Sequence, residues 1–522
     1  MKKILSALLF TVIIQQSSFA STHWTNDLRE KFLAKEAVFY TINMRTFNAQ
    51  DLNGNDIIEE EYGEKRGTFI NAIEKLDYIK SLGVNTIYLL PITKTGKLKA
   101  LGTAGSLYAL DSFDEISPYL DDKDDPRTVE EEAKLFIDEA HKRNLRVVID
   151  IPACGSYDLT LARPTLFLRN KKEDTVIPSD WTDVRLFKIY EERNQVNSEL
   201  VNAYKSFVDM VQNMGADGIR ADVAGIKPYE FWEDVISYAR KKDSNFMFIA
   251  EISASWKNPI KPWGKFASIE ELLDAGFDGF YSNLGEISNI ETKKEFAKKF
   301  SVDEKILKKY EGRRAVLGTF ATHDQISPTH KNSKNYWEQV LWLNLTLPIN
   351  SYFLDGFPSG DNFDYKFENK KATTTSTDDD FYFLHSGKMD IFNFSRQPLK
   401  EDNEYSQSFM EGARFNKFAG EIVSKGKFKK LKTNSDKVFA HMMKYKEDRV
   451  IAIINLDKEN DIKAKIVVPK LNKKSYFLKI KASDAPKIKR RRIITKLEAG
   501  EIQVFVFSKR NKEGKLWKKF FL

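Results

Sequence analysis

Apolar positions along the chain follow two alternating rhythms. Phe69, Ile73, Leu76, Ile79 and Leu82 keep the three-to-four spacing of a helix, and Gly83 ends it. The run 84–91 is almost continuously apolar, the signature of a strand buried on both faces. The same pairing recurs. Helix 129–143 precedes strand 145–151. Helix 198–214, with Leu200, Val201, Tyr204, Phe207, Val208 and Val211 on one face, precedes strand 216–222. Helix 228–241 precedes strand 246–252, and a helix over 269–274 precedes a short strand at 277–281. Helices near 302–310 and 336–345 precede strands 315–322 and 349–354. With a first strand at 37–47, the pattern predicts eight strands separated by helices. Eight βα units in about 350 residues is the count of a (β/α)8 barrel. An open doubly wound sheet is the competing topology, but no glycine-rich phosphate loop follows the first strand.

The alternation breaks at 152–196, a loop-like stretch with Pro164, Pro178 and Trp181. It reads as an excursion from the end of the third strand over the top of the barrel. After about residue 403 short strands joined by turns take over, at 438–443, 450–456, 462–468, 476–480, 492–496 and 501–507. The expected organisation is a barrel over 21–402, an all-β sandwich over 403–510 and a basic tail over 511–522.

Composition narrows the class. The chain has 522 residues, 42% hydrophobic and 30% charged, which fits a soluble globular protein with more than one domain. Its net charge of +8 is spread along the sequence. The basic runs at 487–492 and 515–519 read as solvated faces, so no nucleic-acid partner is expected. Cys154 stands alone, which excludes an internal disulfide. Residues 1–20 carry two early lysines, a short apolar run and small residues at Ser18 and Ala20. They read as an export signal cut after Ala20, with the mature chain expected in the periplasm or outside the cell; an uncleaved anchor is the alternative. No later stretch is apolar enough to span a membrane.

The candidate chemistry lies at the strand ends, where a barrel of this kind builds its site. Asp150 ends the third strand, Arg220 and Asp222 the fourth, Glu251 the fifth, and His323 with Asp324 the seventh. Arg220 and Asp222, two apart on a strand, point to one face, so the guanidinium holds the carboxylate ionised. Several carboxylates converging on one mouth repel one another. The arrangement is poor for stability and good for catalysis. Asp51, Asn53, Asn55 and Glu59, with the carbonyl of Ile57, place oxygens at every second position of a loop. Such a loop either wraps a hard cation such as Ca2+ or is simply polar. Asp56 and Tyr62 stand where an EF-hand needs glycine and glutamate, so it is not an EF-hand.

Arg220-Ala221-Asp222, Ala250-Glu251 and His323-Asp324, in this order, resemble three of the four short motifs of the α-amylase family of glycoside hydrolases. Val147-Val148-Ile149-Asp150 resembles the start of the fourth, and Gly105 to Ala109 resembles the segment whose tyrosine stacks on the sugar. The 51–59 loop is similar to the calcium loop of the oligo-glucosidase branch. The resemblance implies an α-glucan or malto-oligosaccharide substrate and a retaining mechanism. It makes Asp222 the nucleophile, Glu251 the acid/base and Asp324 the stabiliser of a distorted ring. It assigns Arg220, His323, Tyr108 and Asp150 to substrate binding and support. The chain also departs from the family. Cys154 and Gly155 stand where an asparagine and a histidine are usual, and Ser112 replaces an aspartate. The run 98–106 and the missing histidine are more similar to maltosyltransferase-type members. A catalyst, hydrolase or transferase, and a non-catalytic descendant that binds glucan or a partner protein both remain open at this point.

Overall fold

A computed structural model of the chain describes residues 24–50, 52, 60–100, 106–178, 183–192, 195–256, 266–325, 327–329, 334–361, 403–469, 471, 476–481, 486–489 and 491–508. Eight parallel strands form the central sheet: β1 Val38–Ile42, β2 Thr86–Leu89, β3 Arg146–Ile151, β4 Gly218–Ala221, β5 Met247–Ala250, β6 Gly279–Tyr281, β7 Ala315–Leu317 and β8 Ser351–Leu354. Each pairs with its neighbours in chain order, and β1 pairs with β8. A parallel bridge from Leu317 to Asn350 links β7 to the start of β8 and closes the barrel. Because every strand runs the same way, all eight C-terminal ends open on one face.

The expected strands are all present, with shorter hydrogen-bonded cores than their apolar runs. The largest difference is at β7, which stops at Leu317: the Gly318 amide makes the last barrel bond, to the carbonyl of Asn350, and the amides of Thr319 and Phe320 turn back to the carbonyls of Leu317 and Gly318. His323 and Asp324 therefore sit on a loop rather than at a strand end. The single helix expected over 69–82 is two short ones, Phe69–Ile73 and Leu76–Ser81. The helices obey their end signals. Ser198–Met214 starts at Asn197, whose side chain accepts the amides of Glu199 and Leu200. It stops at Gly215, which takes the left-handed conformation at φ 98°.

The excursion joins the barrel top through a short parallel pairing of Ala109–Leu110 with Cys154–Gly155. Residues Glu404–Ser424 form a long helix where the sequence reading begins a β domain. Its Phe409 and Phe415 pack on Phe353 of β8 and on Trp342, so it covers the barrel's last unit. The strands that follow, from Lys427 onward, make a five-stranded and a four-stranded antiparallel sheet. Val438, Ile451, Ile466 and Phe505 are buried together in the β domain. His441 of this domain, fully buried, bonds the carbonyl of Thr346 on the helix before β8 at 3.0 Å. Among the described residues no helix is long and apolar enough to cross a membrane. The first twenty residues, the 511–522 tail and the 51–59 loop, apart from Leu52, lie outside the described residues.

Candidate active site

The strand ends deliver the chemistry to one place. Arg220 is the hub, 1% exposed at the end of β4. Its Nη1 donates to both carboxylate oxygens of Asp150 at 2.8 Å and to Asp222 Oδ1 at 3.1 Å. Its Nη2 lies 2.9 Å from Glu251 Oε1. Its Nε donates to the hydroxyl of Tyr281, at the end of β6, at 3.0 Å. Five donors in a rigid plane suit one side chain to hold three carboxyl groups.

Each carboxyl has further partners. Asp150 accepts the hydroxyls of Tyr88 and Tyr108 on Oδ2, at 2.7 and 2.9 Å. Asp222 Oδ2 accepts the Ala153 amide at 3.0 Å. Glu251 Oε2 accepts the Val223 amide at 2.8 Å. Val223 reaches that position in the left-handed region, at φ 36°, where a β-branched residue is strained. The strain points one amide from the residue after Asp222 at the carboxyl of Glu251.

The electrostatics separate the carboxyls. One guanidinium faces three acids, so full ionisation leaves an excess of negative charge in a buried site. Burial pushes Glu251 well above the usual carboxylate range. Arg220 pulls it down, but Asp222 and Asp324 push it further up. Burial likewise pushes Asp150 up to about 6, against the pull of Arg220. Arg220 itself is held charged by Asp150 and Glu251 despite its burial.

Tyr108 and His323 complete the mouth. Their rings stack with centroids 5.9 Å apart and 9° between planes. The Tyr108 hydroxyl is 2.8 Å from His323 Nε2. Its single proton goes to Asp150, which makes Nε2 the donor in the pair. His323 Nε2 in turn lies 3.5 Å from Asp324 Oδ2. All seven residues that the sequence singles out at strand ends and at Tyr108 are thus linked in one network. Sequence reasoning missed Tyr88 and Tyr281, and the amides of Ala153 and Val223. A tyrosine inside the last residues of strands 84–91 and 277–281 was the available signal for the first two.

In the sequence, Phe167 and Trp181 of the excursion and Trp256 and Trp263 after the fifth strand are the candidate aromatic platforms for sugar. Phe167, a candidate sugar platform in the excursion, is buried and packs on Phe187 at 5.1 Å, so it cannot stack on a sugar. The same ring accounts for Gly155. A Cβ there would lie 2.6 Å from Phe167 Cζ, so no histidine fits that place. Trp181 and Trp263 lie outside the described residues, while Trp256 after β5 is 41% exposed. The calcium-type residues Asp51, Asn53, Asn55, Ile57 and Glu59 also lie outside them. Cys154, in the usual place of a ligand asparagine, is pushed up to about 12 by burial and by Asp222. It stays a thiol, a poor donor for a hard cation.

Known proteins share this architecture. A model of the α-amylase catalytic domain matches residues 18–154. An α-1,4-glucan:maltose-1-phosphate maltosyltransferase of Picrophilus torridus is 24% identical over 419 residues, 77% of this chain and 61% of that protein. The α-amylase MalA of Haloarcula japonica is 26% identical over 230 residues, 42% of this chain and 30% of that protein. Against four such curated relatives the chain spans 16–46% of their length. The crystal structure of the maltogenic α-amylase AmyB from Thermotoga neapolitana superposes with a TM-score of 0.65 at 19% identity, covering 91% of this chain and 99% of that one. In its closed barrel the chain is similar to solved α-amylases, its N-terminal part matches the α-amylase catalytic-domain model, and maltosyltransferases and amylases are among the proteins its sequence resembles.

Proposed function

We propose that this chain is an exported enzyme that cleaves α-glucosidic bonds of malto-oligosaccharides by a retaining double displacement and passes the sugar to another sugar. The observation that carries the reading is Arg220 gathering Asp150, Asp222 and Glu251 at one mouth. Asp222 attacks the anomeric carbon as Glu251 gives its proton to the departing oxygen. The glycosyl ester on Asp222 is then opened by an acceptor hydroxyl, whose proton returns to Glu251. Asp324 and His323 grip hydroxyls of the ring being distorted. Export rests on the pattern of the first twenty residues.

Gly155 supports transfer and a need for long donors. The imidazole that would grip the sugar at the cleaved bond is absent, and Phe167 fills its place. A lost polar contact of that kind costs about 1.5–3 kcal/mol when charge-assisted. Binding of further sugar units, with Trp256 as an available platform, offsets the loss. Acceptor-side binding then lets a sugar outcompete water. Incubation of maltotetraose alone tests this. We expect products longer than the substrate early in the time course, and little activity on maltose. Rapid glucose release from maltose without longer products contradicts it.

The pH profile follows from the same site. Glu251 must hold a proton for the first step, so kcat/KM falls as pH rises through its pKa. That pKa is raised, so the alkaline limb lies well above the ordinary glutamate value of about 4.3. A limb at the ordinary value contradicts the assignment of Glu251 as acid.

We also place any calcium at Asp51, Asn53, Asn55, Glu59 and the carbonyl of Ile57, not beside Cys154. A chelator is expected to lower the melting temperature of the wild type modestly and to leave that of Asp51→Ala unchanged. A metal bound near Asp150 contradicts this placement.

A further inference from the structure

We infer that Tyr204 and Lys227 are positioning residues for Asp222, acting through the backbone of residues 152–153; the role as nucleophile support rests on the double displacement proposed above. The link is continuous. The Ala153 amide donates to Asp222 Oδ2 at 3.0 Å. The carbonyl of that same peptide unit belongs to Pro152 and accepts the Tyr204 hydroxyl at 2.8 Å, in a buried bond. The next carbonyl, of Ala153, accepts Lys227 Nζ at 3.2 Å, also buried. Lys227 Nζ lies over the Tyr204 ring, 4.7 Å from its centroid, and 5.8 Å from that of Trp232.

A peptide whose carbonyl accepts a hydrogen bond becomes a better amide donor, because the two ends polarise each other. Tyr204 thus strengthens the bond that the nucleophile receives, although it sits midway along helix Ser198–Met214. Lys227 pins the following carbonyl, which fixes the direction of the strip. Pro152 brings no amide of its own, and the last ladder bond here runs from Asp222 N to the carbonyl of Ile151 at 3.1 Å. Beyond that bond, the tyrosine and the lysine hold the segment.

A packing role alone accounts poorly for Lys227. It is 1% exposed, and among the described residues no carboxylate lies within ion-pair distance of it. An ammonium buried among rings with a carbonyl acceptor is costly as a core group, and an apolar side chain would fill the space at less cost. As a clamp beneath the nucleophile its charge has a use. The titratable groups that face Asp222 are Asp150, Glu251, Arg220, Tyr108, Cys154 and Tyr204, besides Lys227 itself.

The test compares the full chain with Tyr204→Phe and Lys227→Met. Tyr204→Phe keeps the ring and removes only the hydroxyl. Carbodiimide with an amine labels protonated carboxyl groups, and peptide mass spectrometry reads the pH midpoint for Asp222. We expect that midpoint to rise by about half a unit or more in each variant, roughly a threefold change in proton affinity. We expect kcat on maltotetraose to fall about tenfold with KM nearly unchanged, the mark of a contact used in the transition state. A merely structural role lowers the melting temperature and leaves the midpoint in place. An unchanged midpoint in both variants overturns the proposal, and an unchanged midpoint in one removes that residue from it. If Lys227→Met does not fold, Tyr204→Phe decides. If the wild type turns over no α-glucan, the enzymatic reading fails, while the labelling midpoints still decide the clamp.

Discussion

Asp222→Asn and Glu251→Gln each lower turnover of maltotetraose by about 10³-fold or more and leave the fold intact. Asparagine keeps the shape of Asp222 and the bonds to Arg220 and the Ala153 amide in part, but it cannot form the glycosyl ester. Glutamine at 251 keeps a hydrogen bond to the Val223 amide and cannot deliver a proton to the departing oxygen. Since the two groups act as a unit, the double variant is little slower than the slower single one. Steady-state rates with circular dichroism as a fold control check this. Near-normal turnover in either single variant contradicts the roles assigned.

Arg220→Met is the second large effect, and it falls on stability as well as activity. The guanidinium is the cation that holds Asp150, Asp222 and Glu251 together. Its removal leaves buried carboxyls without their counter-charge, which costs about 3–5 kcal/mol. The sign of the pH dependence follows. Without Arg220 the Asp150 and Glu251 carboxyls, already raised by burial, rise further above their values in the unfolded chain. A carboxyl whose pKa is raised on folding destabilises fully above its folded pKa, less as pH falls below that value, and not at all below its unfolded pKa. The melting temperature of the variant therefore falls further below wild type at pH 8 than at pH 5. Equal losses at both pH values contradict the charge argument. Arg220→Lys keeps the charge but not the planar fork, so it recovers part of the stability and little of the turnover.

Much of this was legible in the sequence, and the physics explains which parts. Buried parallel strands are continuous apolar runs, so all eight were readable, and the residues closing β3, β4 and β5 carried Asp150, Asp222 and Glu251. The loop position of His323 was not readable, because Phe320 and Ala321 extend the apolar run past Gly318, where the last barrel bond is made. The helix Glu404–Ser424 escaped notice although Phe409, Phe415, Ala419 and Ile422 lie on its buried side and Asn403 caps it. Its charged outer face and glycines diluted the period. Strands such as Lys427–Lys430 are exposed at a sheet edge and lysine-rich, so they carry little hydrophobic alternation to read. The site's amides, from Ala153 and Val223, depend on backbone direction, which no residue type announces. Phe167 looked like a platform because an aromatic in an excursion can stack or fill, and only packing tells the two apart.

The most direct test of the central claim is to trap the glycosyl-enzyme. A malto-oligosaccharyl fluoride with a second fluorine on the reacting ring slows the second displacement more than the first. Wild-type protein is incubated with it, digested with trypsin and analysed by mass spectrometry. Cleavage after Arg220 and Arg240 releases the peptide Ala221–Arg240, since Pro228 protects the bond after Lys227. The account predicts this peptide heavier by one glycosyl group, with fragmentation placing the ester on Asp222, and no adduct in Asp222→Asn. Turnover of the fluoride without any adduct, an ester on another carboxylate, or binding with neither turnover nor adduct would contradict it, the last marking a glucan-binding protein rather than an enzyme.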